Sequence, residues 1–415
     1  MSAHRWQSVL APAPLWNLCW FLLFISGSVL GSDYNYDPTS VILLSIAALS
    51  FSLGCFFVDV TPAVNNVDRG NRLINLKIPT SLVWICAVVG FYGCVQLSRH
   101  LGTPLLNVRS IAELFDAGQQ NAVLLFRGEA ELTQSAKISF AALQIGHALA
   151  GARQRLSPTR GGTLAACGLV LVALLWNSVT TQRSYLLVPA VWFAAAYIAA
   201  ATWQGARVLP TKVVYRAITA VVGLGVAVVF FRAIRVNGSD AGLSSEGLAS
   251  AKLWVAGYIP TFSAWYARGM DGVGQSYGLL NGVLGILGGK GDPTGLGGYE
   301  DIGGGATSNA PTMMHSTFIL AGTGWALMIM LLLGMVAQVV YLRAFAGDLV
   351  GGALYVGVVA GILWSINAWF FGYGGRVLAY IGIILAASFV AARIRQLDRR
   401  ALIHRRDWRT DSSTA

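Results

Sequence analysis

Five arginines stand at the ends of apolar runs in this sequence. Arg183 lies in the short turn Thr180-Thr181-Gln182-Arg183-Ser184, and Arg232 and Arg235 lie three apart after the apolar run 214–231. Arg268 follows the aromatic stretch 258–266, and Arg376 closes the turn Gly372-Tyr373-Gly374-Gly375-Arg376. A guanidinium at a membrane edge is costly unless it is paired or faces water. Its planar fork grips phosphate oxygens in pairs, which an ammonium does not do. The 232/235 spacing puts both side chains on one helix face. Singly, each arginine has a plainer reading, snorkelling to headgroups or pairing with a loop acid. Together, the five point to a site for a lipid-linked pyrophosphate.

His315 is the second chemical feature. It begins the apolar run 315–340, and histidine exchanges a proton near neutral pH. His4 and His404 fall in the terminal segments, His100 in a connection and His147 inside an apolar run. Among the five, His315 alone combines a helix start with a neighbouring arginine-bearing loop, which makes it the first candidate for a general base. Glu246 and Asp271 in that loop are reserves. No metal site is expected: there is no HExxH, Asp33 and Asp37 have aromatic and amide spacers, and the adjacent Glu300 and Asp301 lack partners at ligand spacing.

The elements that position these residues follow from composition. The 415 residues are 55% hydrophobic and 11% charged, with a mean hydropathy of +0.61. A soluble domain carries about 25% charged residues, so this chain cannot clothe a water-facing surface. Spanning helices need roughly 20 apolar residues, and lipid leaves open backbone no choice but helix. The expected fold class is therefore an all-α polytopic membrane protein, residues 1–415 forming a single integral membrane domain. About ten spans are expected: 15–31, 40–60, 79–97, 137–152, 163–179, 184–202, 214–231, 315–340, 351–371 and 377–392. The first reads as an uncleaved helix rather than a signal peptide, because Gly27-Ser28-Val29-Leu30-Gly31 is a poor cleavage site.

Basic residues set the orientation. With the N-terminus inside, 18 of the 29 Lys and Arg fall on cytoplasmic segments, and 12 of the 18 acids fall outside. Both termini are then cytoplasmic, the C-terminal one as a basic tail at 393–415. The net charge of +11 comes from these turns and the tail, not from a soluble basic face, which excludes nucleic acid as a partner. Two outer segments are longer than turns: an amphipathic stretch at 98–136 and a large loop at 232–314. The second is too long to be structureless in a compact protein. Its glycine-rich part, 285–305, offers backbone N–H groups to an anion or is a mobile surface loop. The five cysteines (Cys19, Cys55, Cys86, Cys94, Cys167) sit in apolar runs with no CxxC pair and read as small core residues.

Two short motifs carry a family resemblance. His315-Ser316-Thr317-Phe318-Ile319-Leu320, followed by Gly322 and Gly324, resembles the histidine-and-glycine start of the helix after the large periplasmic loop of the Wzy-type oligosaccharide repeat-unit polymerase and O-antigen ligase superfamily. Thr181-Gln182-Arg183-Ser184 is similar to the arginine hairpin of that superfamily. The likeness spans most of the chain as layout and about twenty residues as motif. Ligases usually show His-Asn where this chain has His315-Ser316, which favours a polymerase.

The resemblance implies a bacterial inner-membrane glycosyltransferase that joins undecaprenyl-pyrophosphate-linked oligosaccharide repeat units into a surface polysaccharide at the periplasmic face. Neither cofactor nor metal is needed: arginines stabilise the pyrophosphate leaving group. His315 and Arg268 would be catalytic; Arg183, Arg232, Arg235 and Arg376 would bind pyrophosphate. The expected partners are the lipid-linked oligosaccharide, membrane lipids and, by family, a chain-length regulator. Other readings remain open: an O-antigen ligase, a polyprenyl-phosphate-sugar glycosyltransferase using Asp33 or Asp37, a lipid-linked glycan transporter, or a structural subunit. Transport is disfavoured because the spans hold few mid-membrane polar residues, chiefly Gln144, His147 and Asn367, and show no internal repeat.

Overall fold

Apolar runs of spanning length become helices throughout. The computed structural model of the chain describes residues 8–58, 77–103, 105–127, 132–182, 184–237, 245–270, 273, 280–287, 300–308 and 312–411. The helices are α1 (Pro12–Leu30), α2 (Pro38–Phe56), α3 (Thr80–His100), α4 (Ile111–Arg127), α5 (Gln134–Leu156), α6 (Arg160–Thr180), α7 (Ser184–Trp203) and α8 (Thr211–Asn237). Then come α9 (Ser245–Ala256), α10 (Tyr258–Ala267), α11 (Asn281–Ile286), α12 (Met313–Phe345), α13 (Leu349–Trp364) and α14 (Gly374–Asp411). One antiparallel hairpin, β1 (Glu300–Gly303) with β2 (Ala306–Ser308), pairs Glu300 with Ser308.

Among the described residues seven helices are long and apolar enough to cross a membrane: α1, α2, α3, α6, α7, α12 and the 374–394 part of α14. Their outward faces carry side chains no water-soluble surface would tolerate in such number, among them Phe21 at 61%, Trp325 at 71% and Phe389 at 74% exposure. The protein is thus an all-α membrane protein, with one small hairpin among the described residues. Where they are described, the ten apolar runs coincide with helices with shifted bounds, 351–371 only in part, and the helices on three of them, α5, α8 and α13, are not among those seven.

The differences have physical causes. The run 351–371 is helical only to Trp364, because Ser365 and Asn367 turn the chain and the aromatics Trp369, Phe370 and Phe371 pack into that turn. Gln144 and His147 are tolerated in α5 because it is an interior helix. Gln144 accepts a hydrogen bond from the Trp192 indole at 2.8 Å, and His147 Nδ1 lies 2.8 Å from the Leu143 carbonyl. Cys55 and Cys94 are buried as expected, whereas Cys167 is exposed on the outward face of α6, where an apolar thiol suits lipid as well as protein.

Between apolar helices in lipid, close packing replaces the hydrophobic drive, and small residues let backbones approach. Helices α2 and α12 meet in this way. A Cβ at Gly54 would lie 2.0 Å from the Leu331 carbonyl oxygen, and one at Gly334 would lie 2.0 Å from that of Phe51. Cys55 Sγ donates to the Gly334 carbonyl at 3.2 Å in the same contact. One apolar core joins α1, α2, α10 and α12; a second joins α5, α7, α12, α13 and α14; a third joins α3, α5, α6 and α7.

The stretch 232–314 is structured where it is described. Helix α9 leads to α10, which runs into the first core through Tyr258, Phe262 and Trp265. The hairpin, α9 and the α1–α2 turn share a small separate core of Tyr34, Ala256 and Ile302. The Asn35 amide donates to the Ile302 carbonyl at 2.7 Å, and Lys252 pairs with Asp33 at 2.6 Å.

Candidate functional site

Two of the described candidate residues, His315 and Arg376, lie on elements tied to the end of α13, and the third, Arg268, lies on α10. Thr312 caps α12, its hydroxyl accepting the His315 backbone N–H at 3.1 Å. Capping sets His315 in the first turn of the helix. The Met313 N–H donates to the Ser365 carbonyl at 2.8 Å, and the Trp20 indole donates to Ser365 Oγ at 3.2 Å. These bonds fasten the start of α12 to the end of α13. Tyr258 adds a further tie, its hydroxyl donating to Asn367 Oδ1 at 2.8 Å.

His315 is fully buried, at 0% exposure. Its ring lies 4.5 Å from Trp265 and 5.5 Å from Phe262, edge-on to the latter. Among the described residues neither ring nitrogen has a hydrogen-bond partner. Buried polar atoms nearly always find one, and an exception asks for a functional or structural reason.

Arg268 ends α10 as its C-cap and forms an ion pair with Glu300 on β1. The arginine side chain is 55% exposed and the carboxylate only 5%, so the hairpin presents a buried acid to a half-open cation. The charge of Arg268 is therefore already matched.

Arg376 differs. It is 6% exposed, and its guanidinium carbon lies 4.5 Å from the Tyr373 ring, 4.9 Å from Trp364 and 5.3 Å from Phe370. Nη1 donates to the Phe370 carbonyl at 3.0 Å. No carboxylate pairs with it among the described residues. Three ring faces thus stabilise a cation that keeps N–H groups available for an anion.

Arg232 and Arg235 lie in the last two turns of α8 and Glu246 in the first turn of α9; the side chains of all three lie outside the described residues, as do Arg183 and Asp271 altogether. The structure brings His315 and Arg376 to one junction, through Met313, Ser365 and Trp364. It sets Arg268 one turn beyond Trp265, at the C-terminal end of the helix that covers His315, where Glu300 pairs with it.

Three residues of the α13–α14 turn were not singled out from sequence. The indole N–H groups of Trp364 and Trp369 are buried without a partner among the described residues, and Tyr373 walls the arginine. Their signal was the crowding of aromatics in Trp364-Ser365-Ile366-Asn367-Ala368-Trp369-Phe370-Phe371-Gly372-Tyr373, which a spanning-helix reading treats as lipid-facing.

No protein-family model, no curated protein and no solved structure matches the chain.

Proposed function

We propose that the protein is a repeat-unit polymerase of the Wzy type, a glycosyltransferase that joins undecaprenyl-pyrophosphate-linked oligosaccharides into a surface polysaccharide on the periplasmic side of a bacterial inner membrane. The observation that carries this reading is Arg376: a buried guanidinium, held among three aromatic rings and matched by no carboxylate among the described residues. Such a group suits a ligand that brings its own negative charge. The His315 motif and the outer-face arginines supply the family direction, and the basic-residue asymmetry supplies the topology of ten crossings with both termini inside.

The chemistry balances without a metal. The hydroxyl oxygen of an acceptor sugar attacks the anomeric carbon of the lipid-linked chain. The bond from that carbon to the pyrophosphate oxygen breaks, and the electron pair leaves on undecaprenyl pyrophosphate. His315 takes the hydroxyl proton. Arg376 meets the charge that develops on the leaving group, where preorganised donors count most. Arg183, Arg232 and Arg235 are assigned to the same diphosphate, and Arg268 to placing α10 through Glu300 as well as to the reacting end.

Deleting the gene and running the surface polysaccharide on a gel tests this. A polymerase loss leaves single repeat units on the acceptor. Lipid-linked polymer left unattached would make the protein a ligase, and the absence of both would make it a flippase.

A further inference from the structure

We propose that Arg376 and the indole N–H of Trp364 form a diphosphate-binding pair, and that the Tyr373 ring is the gate to it. The diphosphate rests on the polymerase reading; the gate rests on geometry alone.

The three walls of the guanidinium cage are unequal. Phe370 is 0% exposed and Trp364 is 6%, whereas Tyr373 is 43% exposed. Tyr373 also makes the shortest ring contact to Arg376, at 4.5 Å. Among the described residues, the wall of the cage that reaches the surface is therefore one aromatic side chain at a turn. Tyr373 is extended, at φ −122° and ψ 129°, directly before Gly374 and Gly375. Rotating one exposed side chain costs little. Trp364 and Phe370, the other two walls, are packed into the second core, so moving either would open it. The rotamer is the cheaper door.

Behind that door two kinds of donor wait. The Phe370 carbonyl orients Arg376 through Nη1 at 3.0 Å, which leaves its other N–H groups for a ligand. Trp364, whose ring lies 4.9 Å from the guanidinium, has a buried Nε1–H without a partner among the described residues. A guanidinium beside an orphaned indole N–H matches a group with several acceptor oxygens and negative charge. The rings lend the cation stability without neutralising it, so the anion meets full charge.

The test follows the arginine itself in the full chain, held in phosphatidylcholine nanodiscs. Phenylglyoxal modifies accessible guanidinium groups, and mass spectrometry of the peptide containing Arg376 gives its rate. Tyr373→Ala should raise that rate about tenfold, the scale of losing one well-shielded cation–ring contact. Tyr373→Phe, which keeps the ring, should stay at the wild-type rate. Inorganic pyrophosphate should protect Arg376 in the Tyr373→Ala protein, and Trp364→Phe should weaken that protection. An unchanged rate in Tyr373→Ala overturns the gate. Absent protection overturns the diphosphate site. Protection by phosphatidylglycerol nanodiscs without pyrophosphate assigns the pair to a lipid headgroup and also overturns it. None of these readings requires turnover, so they stand apart from the polysaccharide gel that judges the polymerase.

Discussion

The imidazole of His315 lies 4.5 Å, ring centre to ring centre, from the indole of Trp265. This apolar box leaves both ring nitrogens without partners among the described residues, an arrangement that folding alone does not favour. Replacing a buried, unpartnered polar group with an apolar one of similar volume is nearly neutral or stabilising. His315→Leu should therefore hold or raise the thermal unfolding midpoint in detergent. If His315 is the base, the same variant should lose about 10²–10⁴-fold in the rate of chain growth, the usual weight of general acid–base catalysis. Purified protein and lipid-linked repeat units give the rate. Full activity in His315→Leu would return the residue to a packing role.

Packing between α2 and α12 makes a separate, purely structural prediction. Gly54 and Gly334 each face a carbonyl oxygen of the other helix across 2.0 Å of would-be Cβ space. Backbone does not yield as a flexible side chain does, so Gly334→Val must push the helices apart. Overpacking costs about 1–3 kcal/mol. The unfolding midpoint should fall, and Gly54→Val should do the same. The double variant should cost less than the sum, because one separation serves both. Strict additivity would show that the helices do not move as a pair.

Most of the bundle was legible in the sequence because lipid permits so few structures. Where they are described, the apolar runs from 15–31 to 377–392 lie on helices, 351–371 only as far as Trp364, and the reason is backbone satisfaction rather than pattern. The candidate site was legible only as residue types. Arg376 stood out as a cation at an outer edge, but its cage did not: Trp364 and Phe370 read as ordinary members of an apolar span, and only the turn at Ser365 folds them back onto the guanidinium. Arg268 carried a false simplicity for the same reason. Its partner Glu300 lies 32 residues on, in a hairpin whose strands are too short to show a period-two pattern.

Asp33 and Asp37 bear on the competing polyprenyl-phosphate-sugar reading. Both have structural work here: Asp33 pairs with Lys252, and Asp37 caps α2, accepting the Ser40 N–H at 2.7 Å. Asp37→Ala should cost about 1 kcal/mol of stability, the usual weight of an N-cap, while Asp33→Asn and Asp37→Ala both keep chain growth. Loss of chemistry without loss of folding would revive that reading. The Asp33–Lys252 pair also has a defined pH signature. The hydrogen bond from Lys252 holds the Asp33 carboxyl below its ordinary 3.8, and the bond to Asp33 holds the Lys252 ammonium above its ordinary 10.5. The contribution of Asp33 is full above 3.8 and fades as pH falls through its lowered value; that of Lys252 is full below 10.5 and fades as pH rises through its raised value. The midpoint difference between wild type and Asp33→Asn should thus be flat across neutral pH, shrink in acid, and diminish with salt.

Gly322 and Gly324 sit two residues apart in the His315 motif, yet substitution should move them in opposite directions. Gly322 has φ 69° and ψ 179°, a conformation that breaks α12 into 313–321 and 323–345. That region is all but closed to residues with a Cβ and costs about 1–3 kcal/mol to occupy. The space is not the obstacle, since the nearest side-chain atom to a Cβ there would be Val273 Cγ1 at 3.7 Å. Gly324 lies in the continuing helix with nothing within 4 Å of its would-be Cβ, so alanine there should stabilise by about 0.8–1 kcal/mol through helix propensity alone. Gly322→Ala should therefore lower the unfolding midpoint and Gly324→Ala should raise it. If the break positions His315 against Trp265, Gly322→Ala should also slow chain growth, because straightening α12 moves its first turn, while Gly324→Ala leaves the rate unchanged. Equal and small effects at both positions would mean that α12 is continuous, and the placement of His315 would have to be sought elsewhere.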